Sequence, residues 1–330
     1  MGGLAYKGIN YDTGTNYVGG SLSRATLPGA MVRRDLTAIR DELHCTSVNV
    51  LGTDIGRLTD TAVAALEVGL HVWLQPRLVE AKAGAMLDHL AEVADAAEGL
   101  RQRYGRIDLN VGCELTVFGA GIIPGDSNAE RAAKLASPEW WPRFPEFSNQ
   151  LNGLLAKACT LARSRFGGRL TYGAGLWEDV DWTGFDIVGL NYYRVSFNDA
   201  DYATNLRGFH RHGKPIVIVE FGCCCFEGAA EMGPAGGTIV DWTAAPPALA
   251  GPYRRNEQVQ ADYLSQQLEV FEAEGVHGAY VFEFIEPVRP WSPDPRHDLD
   301  MSSFGVVKAV ADGWEPKAAF HELSRRYGSH

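Results

Sequence analysis

The sequence predicts an α/β fold, a (β/α)8 TIM barrel occupying residues 1–330 as a single domain. Three observations predict it. Short apolar runs rich in β-branched residues alternate with longer helix-periodic segments along the whole chain, and strict alternation of that kind builds a parallel sheet. The runs are apolar throughout, as strands covered by helices on both faces must be. The longest insertions follow the fourth, seventh and eighth runs, and in a barrel those loops share the C-terminal face, where active sites sit. A doubly wound open sheet would need a Gly-rich phosphate turn after its first strand. Gly14 and the Gly19-Gly20 pair lie there, but without the G-x-G-x-x-G spacing.

The elements follow in order. Residues 4–10 read as the first strand. Residues 31–43 read as a helix, with Val32, Leu36, Ile39 and Leu43 on one face. A strand at 47–51 precedes a helix at 59–68 that Gly69 ends, and a strand follows at 70–75. An Ala-rich helix over 83–104 stops at Gly105 before the strand at 107–112. A long Pro- and Trp-containing segment leads to a helix over 150–166 and a strand at 169–174. The remaining strands are 185–191, 215–220 and 277–284, with helices at 199–212, 253–274 and 315–327.

Composition narrows the function. The net charge is −11, whereas binding nucleic acid or an anionic membrane needs a basic footprint. No stretch is long and apolar enough to span a bilayer, and no leader segment is readable, so a cytoplasmic location is expected. The six cysteines include the run Cys223-Cys224-Cys225. They lack both a disulfide framework and the spaced pairs of a zinc site, and read as buried, reduced thiols. No cofactor motif occurs, so the expected partner is a small-molecule substrate and the expected cofactor is none.

Two carboxylates carry the functional reading. Glu114 lies just past the fourth strand and Glu220 ends the seventh. A Glu at the end of a buried strand is costly to place unless it is paired or used. Strands four and seven face each other across a barrel, so these side chains can converge over its mouth. A facing pair suits glycoside hydrolysis, one carboxyl giving a proton to the leaving oxygen and the other attacking or guiding water. Glu114 is then protonated at rest and Glu220 ionised. The alternative is that each is tied to an Arg or to backbone N–H groups and does no chemistry.

Lys7-Gly8-Ile9-Asn10-Tyr11, the run from Phe185 to Asn191-Tyr192-Tyr193, and Lys214-Pro215 through Glu220-Phe221-Gly222 resemble the clan A retaining glycoside hydrolases, from residue 4 to about residue 285. The resemblance implies an acid/base at Glu114, a nucleophile at Glu220, and Tyr192 or Tyr193 hydrogen-bonded to that nucleophile. Three places depart from the pattern. Cys113 stands where the clan usually has an Asn that holds the sugar 2-hydroxyl. Asn49 stands near the place of a strand-two Arg, and Phe282 and Glu283 replace a Trp platform at strand eight. The carboxylate pair is thus kept while the sugar-holding shell is altered. The chain also resembles actinobacterial proteins labelled abortive infection proteins, a label that implies no chemistry.

Further substrate contacts are expected from Asn10, Asp12 and Gln75 at the ends of strands one and three, from Asn191, and from the rim residues Trp177 and Trp291. Glu283, also a candidate substrate contact, is expected to pair with Arg289 or Arg296; pointing inward, it would instead give the mouth a third carboxylate, as a general acid or a site for a cationic or divalent ligand. The function read is a glycosidase-like hydrolase. Its rivals are an isomerase, lyase or tailoring enzyme that uses the same carboxylates, and a non-catalytic ligand-binding barrel.

Overall fold

A computed structural model describes residues 3–17 and 21–329; the Gly19-Gly20 pair lies outside the described residues. Eight parallel strands form one sheet. They are β1 (Tyr6–Asp12), β2 (Ser47–Gly52), β3 (His71–Pro76), β4 (Ile107–Cys113), β5 (Leu170–Gly173), β6 (Val188–Asn191), β7 (Ile216–Phe221) and β8 (Gly278–Val281). Their order is β5-β4-β3-β2-β1-β8-β7-β6. The two ends meet where Ala174 bridges Leu190 in parallel. There the Ala174 N–H donates to Gly189 (3.0 Å) and the Asn191 N–H to Ala174 (2.8 Å). The sheet therefore closes into the barrel that the alternation predicts.

The main outer helices are α1 (Gly29–Asp41), α2 (Ile55–Glu67), α3 (Ala83–Tyr104), α4 (Phe144–Arg163), α5 (Tyr202–Gly208), α6 (Glu257–Ala273) and α7 (Ala318–Gly328). Local chemistry sets their ends. Asp54 caps α2 by accepting the Arg57 N–H at 2.8 Å, and Asn256 caps α6 through the Gln258 N–H. Gly105, at φ 73°, ends α3 in the left-handed region that favours glycine.

Several boundaries differ from the sequence reading. Helix α2 starts at Ile55 rather than residue 59, because Asp54 supplies a cap. Helix α4 starts at Phe144 rather than 150, with Pro145 in the first turn where no N–H is needed. Strands β6 and β8 are shorter than predicted, because their flanking apolar residues leave the ladder. The segment before α7 contains an unpredicted antiparallel hairpin, Val307–Val310 with Gly313–Pro316.

Of three apolar clusters among the described residues, two hold the barrel and a third, around Phe226, Met301 and Phe304, lies under the long loops. The largest fills the space between strands and helices, with Leu36, Leu74, Leu109, Leu151 and Phe271 among its fully buried members. Inside the barrel, Trp73, Ile187, Val217, Val219 and Tyr280 pack on one another, with Tyr6 below. Asp108 closes the bottom, accepting from the Arg169 guanidinium (Nε at 3.0 Å) and bonding His71 Nε2 at 2.9 Å. Above the apolar layer Asn49 donates to Asn10 (2.6 Å) and to Gln75 (2.5 Å). The carboxylates sit over this polar layer. No helix among the described residues is long and apolar enough to cross a membrane.

Candidate active site

Glu114 follows β4 directly, with φ 43° and ψ 49°. A left-handed conformation at a residue with a Cβ costs of order 1–3 kcal/mol and persists only where the surroundings enforce it. They do so here. The Glu114 N–H donates to Gly173 at 2.9 Å, and its carbonyl accepts from Val117 and Phe118. The half-buried Glu178 braces the turn. It accepts from the Thr116 N–H (3.1 Å) and hydroxyl (2.6 Å), the Tyr172 hydroxyl (2.9 Å) and the Gly175 N–H (3.0 Å). The Glu114 side chain is half-buried and accepts from Asn191 Nδ2 at 2.9 Å.

Glu220 reaches the mouth because β7 breaks its own alternation. Val217 and Val219 face the barrel interior, while Ile218 and Phe221 face the helices. The register against β6 shifts between Leu190 and Asn191, so that Asn191 pairs with Glu220. Such a bulge re-aims a side chain, and Glu220 joins Val219 on the inner side. Its Oε1 pairs with the Arg77 guanidinium and lies 3.5 Å from Cys113 Sγ. Its Oε2 accepts from the Tyr193 hydroxyl at 3.2 Å.

The two carboxylates are thereby neighbours. Asn191 Nδ2 is 3.1 Å from Cys113 Sγ as well as 2.9 Å from Glu114, so a thiol and an amide alone join Glu220 to Glu114. Burial pushes the Glu114 carboxyl up to about 8, and the charge of Glu220 adds to it. Glu114 therefore holds a proton at neutral pH beside an ion-paired carboxylate. Burial, then the nearby charge of Glu220, pushes the Tyr193 hydroxyl well above its ordinary value, so it remains a hydrogen-bond donor. Burial also keeps the Cys113 thiol protonated.

Other residues named from the sequence are placed as follows. Tyr192 turns away and exchanges hydrogen bonds with Tyr202 (2.7 and 2.8 Å), which leaves Tyr193 as the tyrosine at Glu220. Asn10 is buried and donates to the Val219, Tyr280 and Val281 carbonyls, tying β1 to β7 and β8. Gln75 lies beneath the carboxylates with Asn49. Asp12 accepts from the Gly14 N–H, the Thr15 hydroxyl and the Ser23 hydroxyl, which shapes the loop after β1. Trp177 donates to the Thr116 hydroxyl at 2.9 Å, which sets its partly exposed ring beside the Glu114 turn. Trp291 is bonded through its N–H to Ala309 and covered by Lys308, so the hairpin before α7 holds it. Phe282 packs on Phe304, which also meets Tyr193.

One expectation needs correction. Arg289 pairs with Glu286 at 3.3 Å, and no ion pair reaches Glu283 among the described residues. Glu283 is only 4% exposed, and its Oε2 has no partner. The Phe282–Glu283 peptide is cis. Cys223, Cys224 and Cys225 are fully buried, with Cys224 and Cys225 against the Ser302 and Asp300 carbonyls.

Arg77, Tyr17 and Glu178 escaped the sequence reading. Arg77 follows β3 and takes the place expected of an Arg on β2. It is buried, bonded to Tyr17 (2.5 Å) as well as to Glu220. The readable signal was an Arg directly after the apolar run His71–Pro76, a costly place for an unpaired charge. No group of three His, Cys, Asp or Glu side chains among the described residues is arranged to hold a metal ion.

No family model matches the chain, and no curated protein matches it. Solved structures do. A GH113 β-1,4-mannanase complex aligns over 98% of this chain and 99% of its own, at 16% identity and a TM-score of 0.62. The GH113 β-mannanase of Alicyclobacillus acidocaldarius, in complex with ManMIm, aligns over 99% and 98% at 16% identity and TM-score 0.62. The GH2 β-galacturonidase of Eisenbergiella tayi, bound to galacturonate, aligns over 99% of this chain but only 52% of its own, at 18% identity and TM-score 0.60. The class defined by these likenesses is one of fold: the (β/α)8 barrel of the glycoside hydrolases. With the GH113 mannanases the likeness runs end to end in both chains; with the GH2 enzyme it covers about half of the larger protein.

Proposed function

We propose that the protein is a retaining glycoside hydrolase, with Glu220 as nucleophile and Glu114 as acid/base. The observation that carries the reading is the bridge Glu220–Cys113–Asn191–Glu114. It sets a protonated carboxyl one thiol and one amide away from an ion-paired carboxylate, at the mouth of a glycosidase-type barrel.

In the first step Glu220 Oε2 attacks the anomeric carbon. Glu114 gives its proton to the departing oxygen, forming a glycosyl ester on Glu220. In the second step Glu114, now a carboxylate, takes a proton from water as that water opens the ester. Tyr193 and Arg77 orient the attacking carboxylate. Arg77 contacts only Oε1 of Glu220, so the ion pair that an inert Glu220 would also have leaves Oε2 to Tyr193 and the mouth. Asn191, bonded to Glu114 and Cys113 and with its Oδ1 unpaired, is suited to accept from a ring hydroxyl.

The test is E220Q and E114A measured on aryl glycosides of graded leaving groups. E220Q abolishes turnover. E114A loses most on poor leaving groups, little on activated ones, and regains rate with azide. Full activity in E220Q, or equal loss in E114A across the series, overturns the assignment.

The second reading, acid/base chemistry on a non-sugar substrate, draws on Cys113 and on the unpaired Glu283, both departures from the sugar-holding pattern. Product analysis separates the two, since hydrolysis yields two molecules and isomerisation one.

A further inference from the structure

We infer that the leaving-group side of the mouth is an apolar shelf built on Trp177, so that the site takes glycosides of flat, aromatic aglycones; this rests on the hydrolase reading, in which Glu114 protonates the departing oxygen.

The shelf is tied to the acid residue by residue. From Glu114 to Thr116, every position of the turn is bonded to β5 or to the loop that follows it. The Glu114 N–H donates to Gly173 at 2.9 Å, the Leu115 N–H to the Tyr172 hydroxyl at 2.7 Å, and the Thr116 N–H to Glu178 at 3.1 Å. Trp177 completes the set through its indole N–H, 2.9 Å from the Thr116 hydroxyl. The indole also rests on Gly175, where a Cβ would stand 2.6–2.8 Å from three of its ring atoms, so glycine is needed there. Both anchors lie just beyond the C-terminal ends of β4 and β5, on the face where barrel active sites sit. The groups that hold Glu220 come from elsewhere, Arg77 after β3 and Tyr193 after β6. A leaving group departs past the acid that protonates it, so the part of the substrate that meets Trp177 is the aglycone.

The shelf is open and already ordered. Trp177 is 37% exposed and the adjoining Leu176 43% exposed. An indole held at two points has given up its side-chain freedom before a ligand arrives, which lowers the cost of binding.

The side chains of the shelf offer a ligand no hydrogen bond. The indole N–H is spent on Thr116, and the Thr116 hydroxyl donates to Glu178 at 2.6 Å. Each oxygen of Glu178 accepts twice, Oε1 from the Thr116 N–H and hydroxyl, Oε2 from the Tyr172 hydroxyl and the Gly175 N–H. The Tyr172 hydroxyl in turn accepts from Leu115. A second sugar laid on this ring would lose water from its hydroxyls and find no partner among these groups. A flat aromatic aglycone has little water to lose and gains stacking on the indole.

The test is calorimetric binding of S-linked glycosides, which resist cleavage. A panel of common hexoses in both anomeric forms is used, each sugar carried once by a naphthyl group and once by a second hexose. In the wild type the naphthyl glycoside of at least one sugar binds about tenfold or more tightly than the matching disaccharide. Trp177→Ala, shown folded by its thermal melt, binds the two within about threefold. Trp177→Phe keeps a ring on Gly175 while giving up the bond to Thr116, and it keeps the naphthyl preference. No such preference in the wild type, one that survives in W177A, or one that is lost in W177F overturns the inference. Turnover of oxygen-linked aryl glycosides is read separately. Cleavage without a Trp177-dependent preference refutes only the shelf, and a Trp177-dependent preference without cleavage refutes only the hydrolase.

Discussion

Replacing Glu220 by Gln removes one negative charge while keeping the shape of the side chain, and Glu114 should report the loss. Glu114 titrates at about 8, against 4.5 for an ordinary Glu, with burial the larger cause and Glu220 the next. At the ~5–5.5 Å that a retaining pair keeps, two unit charges repel by ~3 kcal/mol at an effective dielectric of ~20, equal to about 2 pH units. In E220Q the Glu114 midpoint should therefore fall from about 8 to about 6. It should not reach 4.5, because burial persists. Arg77, released from its partner, pulls the midpoint the same way. The assay is a carboxyl-band infrared titration of wild type and E220Q, with E114Q and E114Q/E220Q identifying the band. A midpoint that stays at about 8 in E220Q would mean that the two carboxylates do not share a site. An ordinary midpoint in the wild type would refute burial as the main cause.

Other outcomes follow from the same contacts. Tyr193→Phe removes the hydroxyl donated to Glu220, a hydrogen bond to a charged group worth about 1.5–3 kcal/mol, so kcat/KM should fall by roughly ten- to a hundredfold with the fold intact. Asp108→Ala removes the acceptor shared by His71 and the part-exposed Arg169 and should destabilise by about 1–3 kcal/mol in denaturant melts, without altering the pH profile of turnover. Glu114 and Glu283 bind protons more tightly folded than unfolded. Their contribution is full below the unfolded value near 4.5 and is lost as pH rises through the folded value, about 8 for Glu114. The melting temperature should therefore fall across that window, and more shallowly in E283Q. All six cysteines are buried with thiols raised above their ordinary value, so the native protein should resist a thiol reagent at pH 7 that labels it fully once unfolded.

The barrel was legible because strand and helix periodicities differ and each strand is bounded by a glycine, a cap or a polar turn, as at Asp54 and Gly105. The hairpin before α7 was not. Val307–Val310 and Gly313–Pro316 are short, and their pairing depends on the two-residue turn Ala311-Asp312 rather than on a long pattern. At the site, position alone singled out Glu114 and Glu220, as charges at the ends of apolar runs. The contacts were set by geometry that the linear pattern hides. The β7 bulge brings Glu220 inward against its alternation, and Arg77 crosses from β3 to a carboxylate 143 positions away. Tyr192 and Tyr193 are chemically equivalent in sequence, and only the partner Tyr202 decides which of them faces Glu220. The pairing expected for Glu283 failed for a similar reason, since Arg289 finds Glu286 first, one turn away on the same loop.

The most direct test is covalent trapping. A 2-deoxy-2-fluoro glycoside with an activated leaving group, incubated with the protein, should leave one glycosyl adduct. Peptide mass mapping should place it on Glu220, and the first-formed product of an ordinary substrate should retain its anomeric configuration by proton NMR. An adduct on another residue, or a product of inverted configuration, would contradict the account.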